Sequence, residues 1–535
     1  MNELSSASRP GSTLPVVFSN CVGWFHPTPS GRAGGTAALL CAGASQDFSN
    51  GYRPFRLLAN HLAEAGYPAL RFDYPGTGDS ADPDCANLWE AWQESITVAA
   101  AWLRTQTGAE HLVLVGLRIG ATLAAMAAAK RNDVAGLALI EPCLNGRSYV
   151  SQLVTEARLR GSQQSDGGIE VGELMFTPAC LDLMRAADLT LLPVPPSRPV
   201  AVFSRTPQEK IASRLAGWRQ QDIKLSCDDL GGLEAMLRPS QHSGEPELDA
   251  APLLEWLRRE MPPQADQLPA VPHPPKTASL SLPGCTESPL RFGAALHLVG
   301  VLCRPALDRA PGFAVVICNA GGNPRHGFAR FGVECARVLS EAGIASLRFD
   351  FSGLGDSIHR RDGADLQTDV FTEDRVRDIR DALDALEVLG FRGFALHGLC
   401  SGAYHAVRGA CADARINVLL AVNLPWFSLR HERPGPDSFA QKCVNTLVSR
   451  NTMALFIFGE NDAGLKSFER HFGAVDGLLP AQSGLRVSIV PGLDHELTFG
   501  WMRRRVAEQI IQFLLDTQAV PSRDVHPLGD MTPKP

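Results

Sequence analysis

Residues 63–80 read AEAGYPALRFDYPGTGDS and residues 340–357 read SEAGIASLRFDFSGLGDS, and this internal repeat constrains the fold more than any other feature of the chain. Two further matches follow in the same order: LVGLRIG at 114–120 with LHGLCSG at 396–402, and GGLEAML at 231–237 with PGLDHEL at 491–497. Three matches in one order predict two copies of a single fold, each of roughly 260 residues, the size of a complete domain rather than of a solenoid unit. The total of 535 residues agrees, since it is too long for one ordinary core. Between the copies, Pro262 to Pro275 reads PPQADQLPAVPHPP, which holds neither helix nor central strand. The expected organisation is a domain at 15–261, a Pro-rich linker at 262–278, a second domain at 279–518 and a flexible tail at 519–535.

Within each copy short apolar runs alternate with amphipathic stretches. In the second, FAVVIC (313–318) precedes a helical pattern at 329–342, ASLRFDF (345–351) precedes another at 373–389, and FALHG (394–398) leads into a third at 401–411. Parallel strands need crossover helices, so the alternation predicts an α/β fold: a mostly parallel, doubly wound sheet in each copy. A stretch from Pro142 to Pro199, including GGIEVGELMFTPACLDLMRAADL, reads as a helical cap over the first copy (about 142–199). Its counterpart in the second, about 425–450, is shorter and leaves the site below it more open.

Composition narrows the function. A net charge of −7 gives no field to gather nucleic acid or an anionic membrane, and there is no apolar run of membrane-spanning length. The N-terminus lacks the pattern of a secretory signal, and the thirteen cysteines show no C-x2-C spacing, which points away from a disulfide framework or a zinc site and towards a cytoplasmic protein. The G-x-G of each LRFD-x-x-G-x-G-D-S segment lacks the third glycine of a dinucleotide fingerprint and reads as a turn after a strand. No metal or cofactor is expected.

The chemistry is expected in the second copy. Gly398-Leu399-Cys400-Ser401-Gly402 follows a predicted strand and precedes a predicted helix, which fits the G-x-nucleophile-x-G elbow with cysteine as nucleophile. The glycines are needed because a Cβ at either flank would collide with the neighbouring strand or helix, and the helix N-terminus favours a thiolate. A thiol also needs a base, and the base a group to orient it, in that order downstream. ALFIFG (454–459) runs into Glu460-Asn461-Asp462, and SIVPGLDHEL (488–497) carries His495. Cys400, Asp462 and His495 are the expected triad, with Glu460 and Asp494 as alternative orienting acids. Oxyanion donors are expected from the backbone of Ser401 and of Ala320 and Gly321, in the small-residue loop after the strand at 313–318. His326 and Arg330, a few positions on, are expected at the surface, with contact to substrate as the alternative.

With these motifs in place, residues 280–518 resemble the α/β-hydrolase superfamily. The G-x-C-x-G box resembles those of dienelactone hydrolases and polyhydroxyalkanoate synthases, in which Cys stands for Ser, and the LRFD-x-x-G-x-G-D-S segment is similar to hydrolases associated with bacterial exosortase systems and to serine-aminopeptidase-like esterases. The resemblance implies two tandem α/β-hydrolase domains.

The first copy keeps the elbow and loses its chemistry. Opposite Cys400 stands Arg118, opposite Asp462 stands Pro207, and opposite His495 stands Ala235, none of which can act as nucleophile, acid or base at neutral pH. His242 lies near but has no nucleophile to serve. Arg118 is expected either to bind an anion or to fill the vacated site by pairing with an acid. The expected function is acyl hydrolysis of a small-molecule ester or thioester, free or bound to a carrier protein or coenzyme A. Acyl transfer through the same cysteine and a non-catalytic binding role are the alternatives.

Overall fold

The computed structural model describes residues 13–29, 35–83, 87–162, 167–192, 198–220, 223–238, 248–263, 278–308, 310, 312–358, 371, 375–425, 433–473 and 484–517. Most of the expected linker and the whole 519–535 tail lie outside the described residues, as does His242.

Two large sheets organise the chain. In the first unit the spatial order is Leu14–Phe18, Cys21–His26, Ala69–Phe72, Thr36–Cys41, His111–Leu117, Val134–Ile140, Val200–Phe203 and Leu225–Asp228. The first two pairings are antiparallel and the other five parallel. In the second unit the order is Leu280–Leu282, Cys285–Phe292, Leu298–Pro305, Ala345–Asp350, Phe313–Cys318, Gly393–Leu399, Ile416–Val422, Met453–Gly459 and Leu485–Val490. Apart from the extra edge strand Leu280–Leu282, the crossover pattern is the same.

Both central strands, TAALLC and FAVVIC, are buried along their whole length, the pattern of strands covered on two faces. Their side chains alternate between two cores. Leu39 and Cys41 join one apolar cluster while Ala38 and Leu40 join the other, and in the second unit Val316 and Cys318 separate in the same way from Val315 and Ile317. The helices Phe331–Glu341, Arg375–Val388, Ser401–Ala412 and Gly500–Asp516 fall close to the sequence expectation.

One expectation needs correction. GGIEVGELMF was read as helical, yet Ile169–Val171 and Leu174–Phe176 form an antiparallel hairpin between the helices Gly146–Leu159 and Pro178–Ala186. Ile169, Val171, Leu174 and Phe176 are buried while Glu170 and Met175 point outward, a period of two rather than 3.6. Gly172, at φ 61°, makes the turn. The segment is therefore a mixed cap. In the second unit the corresponding segment contributes the helix Phe439–Ser449, and residues 426–432 lie outside the described residues.

The LRFD repeats do more than turn the chain. In each unit the first aspartate accepts the backbone N–H of the second: Asp73 from Asp79 at 2.8 Å, Asp350 from Asp356 at 2.9 Å. Gly78 and Gly355 sit at φ 48° and 46°, and a Cβ there would stand 2.2 and 2.3 Å from the Asp73 and Asp350 carboxylates. These two turns face each other across the unit boundary. Arg71 pairs with Asp356, and the equivalent Arg348 pairs with Asp79 at 3.0 Å, the reciprocal exchange expected of a two-fold interface. Arg325 lies between them, bonded to Asp79 at 2.5 Å, Asp350 at 2.7 Å and Asp356 at 2.8 Å. Against the cost of burial, Arg325 with Arg348 holds Asp79 well below the usual carboxylate range, and Arg71 with Arg325 does the same for Asp356. Burial pushes Asp73 up to about 7 and Asp350 up to about 6.

Candidate active site

The strand Gly393–Leu399 stops at Cys400 and the helix Ser401–Ala412 starts immediately after it. Cys400 adopts φ 53° and ψ −124°, a conformation that costs a non-glycine residue about 1–3 kcal/mol and persists only where the surroundings impose it. The flanking glycines impose it. A Cβ on Gly398 would stand 2.2 Å from Gly402, and one on Gly402 would stand 2.6 Å from the carbonyl of Cys318 in the neighbouring strand. The half-buried sulfur is thus presented at a helix N-terminus, where the dipole favours negative charge.

Asp462 follows the strand Met453–Gly459 and has two partners. Its Oδ1 accepts the N–H of Gly464 at 2.7 Å, capping the helix Ala463–Phe472, while its Oδ2 lies 2.6 Å from Nδ1 of His495. Capping and orienting are therefore combined in one carboxylate. The two alternative acids are engaged elsewhere: Glu460 accepts the N–H of Gly492 at 3.0 Å and Asp494 that of Thr498 at 3.0 Å. His495 also lies within hydrogen-bonding reach of Cys400. The bond to Asp462 first, and the one to Cys400 second, push the imidazole up to about 10. A proton is thereby held on the ring beside the sulfur, the charge state in which His can protect a thiolate and later deliver a proton to a leaving group. The imidazole is 41% exposed while Asp462 is 3% exposed, so the ring is reachable and the carboxylate bonded to it is shielded.

Asn423 is a positioning residue that the sequence reading missed. It ends the strand Ile416–Val422 at φ 44°, fully buried, and its Nδ2 donates to the carbonyls of Asp494 at 2.9 Å and His495 at 3.1 Å. Its Oδ1 accepts the N–H of Gly459 at 3.0 Å, so one side chain ties the acid-bearing strand to the histidine loop. An asparagine directly after the apolar run VLLAV at 418–422 was the signal the sequence offered.

On the oxyanion side, Ser401 is the first helical residue, where a backbone N–H has no intrahelical acceptor. The N–H of Gly321 donates to the Ser401 hydroxyl at 2.6 Å, so an oxyanion reaching Gly321 has to displace that hydroxyl. Ala320 lies in the same loop, with its carbonyl accepting the N–H of Asn323 at 3.1 Å. His326 and Arg330, expected at the surface, are buried at the unit boundary instead. The ring of His326 packs 5.3 Å from those of Phe48 and Tyr52, and Arg330 donates to the carbonyl of Gly78 at 2.8 Å.

In the first unit Arg118 takes the elbow position at φ 54° and ψ −118°, nearly the backbone of Cys400. Its guanidinium lies 3.3 Å from Asp47 and 3.4 Å from Gln152, so it pairs with a nearby acid. Pro207 precedes the helix Gln208–Arg214 as Asp462 precedes its own helix, and Ala235 sits in the single turn Leu233–Met236. The Asn423 position is held by Glu141, also at φ 44°, whose carboxylate accepts the Arg205 N–H at 2.5 Å.

A cavity of about 1200 Å³ lies at the junction of the units, lined by Glu170, Arg330, Arg503 and others rather than by Cys400. Since a triad needs only an open approach to the sulfur, volume is a poor guide here. Among the described residues one group could offer three metal ligands, His297, Asp378 and Asp381, but Asp378 already accepts the N–H and hydroxyl of Ser352, both at 2.8 Å. No helix among them is long and apolar enough to cross a membrane.

The family model for the alpha/beta hydrolase fold matches residues 37–168. No curated protein matches the chain. Among solved structures it is similar to an alpha-beta serine hydrolase homologue from Coxiella burnetii (18% identity, covering 42% of this chain and 96% of that one, TM-score 0.32). It is also similar to dienelactone hydrolase from Anabaena variabilis (19%, 44% and 98%, TM-score 0.33) and to a lidless α/β serine hydrolase from Xanthomonas campestris (17%, 44% and 97%, TM-score 0.32). With parallel strands wound on both faces and a strand-to-helix elbow in each unit, the chain carries the α/β-hydrolase fold.

Proposed function

We propose that the chain is an acyl hydrolase acting on an ester or thioester through Cys400, His495 and Asp462 of its second unit, and that the first unit is a degenerate copy of the same domain. The observation that carries this reading is the position of the His495 imidazole, bonded to Asp462 at 2.6 Å on one nitrogen and within reach of the Cys400 sulfur. Cys400 attacks the acyl carbonyl as thiolate. Backbone N–H groups of Ser401 and of the loop at Ala320 and Gly321 steady the oxyanion, His495 passes a proton to the departing alcohol or thiol, and water activated by His495 then releases the acid. The partly exposed sulfur suits a bulky acyl donor, including one carried on a protein or on coenzyme A.

The test is turnover of p-nitrophenyl esters and acyl thioesters, followed by mass spectrometry of the quenched enzyme. An acyl adduct on Cys400, with free acid as product whether or not an alcohol, amine or thiol acceptor is added, is the expected result. Product diverted to the acceptor would reassign the reaction to acyl transfer, and turnover without an adduct on Cys400 would contradict the nucleophile.

A further inference from the structure

Besides the clamp between the two LRFD turns, the first unit contacts the second beside two loops that deliver groups to the site around Cys400. The first is the histidine loop. Glu170, on the outward face of the Ile169–Val171 strand, accepts the N–H of Gly500 at 2.6 Å and lies 3.5 Å from the Arg503 guanidinium. Gly500 opens the helix Gly500–Asp516, whose own N-cap, Phe499, offers no side-chain acceptor, so the carboxylate that satisfies this terminus comes from the other unit. Arg503, 3% exposed, carries the contact inward: its Nη1 donates to the carbonyls of Thr498 at 2.8 Å and Leu497 at 3.3 Å, and its Nε to Glu334 at 2.7 Å. Those carbonyls lie two and three residues beyond His495. Leu497 itself sits at φ 59°, a strained backbone that holds only while its neighbours hold it.

The second is the loop that starts at Ala320 and Gly321. It runs on through Arg325, bonded to Asp79, and into Ala329 and Arg330 at φ 45° and 62°. Arg330 there donates to the carbonyls of Gly78 and Ser80 and to Asp82, all in the first unit. Two strained, non-glycine stretches flanking the elbow thus end in side chains gripped by the unit that lacks the chemistry.

We propose that the first unit is a built-in positioning partner for the second, and that Glu170, through Gly500 and Arg503, sets the His495 loop against Cys400. This rests on the catalytic reading given above. Glu170 touches neither the sulfur nor the imidazole, so it is a positioning residue, and the hairpin carrying it explains why a degenerate copy keeps an elaborate cap.

The test uses the full chain and two variants. Glu170→Ala removes the acceptor from Gly500 and the charge from Arg503, whereas Glu170→Gln keeps an acceptor of the same shape. For ester turnover, kcat in Glu170→Ala is expected to fall about tenfold, with KM changed less than about twofold and with partial recovery in Glu170→Gln, as for a loop displaced from its working geometry. In parallel, hydrogen exchange in Glu170→Ala is expected to rise for peptides spanning 491–503 and to stay unchanged for the Ile416–Val422 strand. Unchanged exchange at 491–503 overturns the proposal whether or not the enzyme turns over any ester, as does exchange that rises equally throughout both units. If wild type shows no ester turnover while exchange at 491–503 still rises, the catalytic reading fails and the coupling of Glu170 to the loop stands.

Discussion

The two elbows share a backbone and differ in everything attached to it. Arg118 and Cys400 sit within about 6° of each other in φ and ψ (54° and −118° against 53° and −124°), although only one of them could serve as a nucleophile. The turn is therefore a requirement of packing in this fold, where a Cβ on Gly116 or Gly120 would collide with the next helix or the neighbouring strand just as at Gly398 and Gly402. An elbow alone says nothing about catalysis. The difference lies in what converges on it: an imidazole and a carboxylate in the second unit, Asp47 and Gln152 in the first. The neighbouring position repeats the lesson, because Asn423 braces the histidine loop while the carboxylate of Glu141, at the same φ, binds Ser204 and Arg205.

The sharpest way to break this comparison is to exchange the elbows' fortunes. Cys400→Ala should lower ester turnover by at least about 1000-fold, as nucleophile removal does in triad hydrolases, while Arg118→Ala should change it less than about twofold. Comparable losses in both would mean that the first unit is catalytic after all.

A second difference should nearly vanish. The clamp is reciprocal, so Asp79→Asn and Asp356→Asn each leave buried arginines short of a carboxylate, at a cost of about 3–5 kcal/mol in urea unfolding. Similar values in the two variants would support a two-fold boundary, and a large disparity would show that one unit dominates it.

The third prediction concerns pH. His495 is raised above its ordinary value chiefly by Asp462, so its protonated form is favoured in the fold, fully below pH 6.5 and decreasingly as pH rises through about 10. In Asp462→Asn the largest cause is removed, and the alkaline limb of the pH–rate profile should move to lower pH. An unmoved limb would detach Asp462 from His495. The smallest effect is expected for Asn423→Ala, which leaves two loop carbonyls and the Gly459 N–H without their partner: about 1–3 kcal/mol of stability and a reduced kcat, measured by denaturation and initial rates.

Much of this architecture can be read in the residue pattern. Apolar runs such as FAVVIC are unbroken because both sheet faces are covered, and the order of elbow, acid and histidine follows from the order of strands. What escaped had two causes. The hairpin around Gly172 was hidden by its setting among amphipathic helices, although Ile169, Val171, Leu174 and Phe176 carry the strand period. The boundary escaped for a deeper reason: Arg71 meets Asp356 and Arg325 meets Asp79 across more than 240 positions, and no local periodicity encodes a partner that distant. His326 and Arg330 look like surface residues until that second turn is packed against them.

The most direct measurement is competitive alkylation of the native chain with limiting iodoacetamide near neutral pH, each cysteine quantified by peptide mass spectrometry in wild type and in His495→Ala. Cys400 should label first and well ahead of the other cysteines, and should lose that advantage when the imidazole is removed. Cys400 labelling no faster than the other accessible thiols, or unaffected by His495→Ala, would contradict the pairing of sulfur and imidazole.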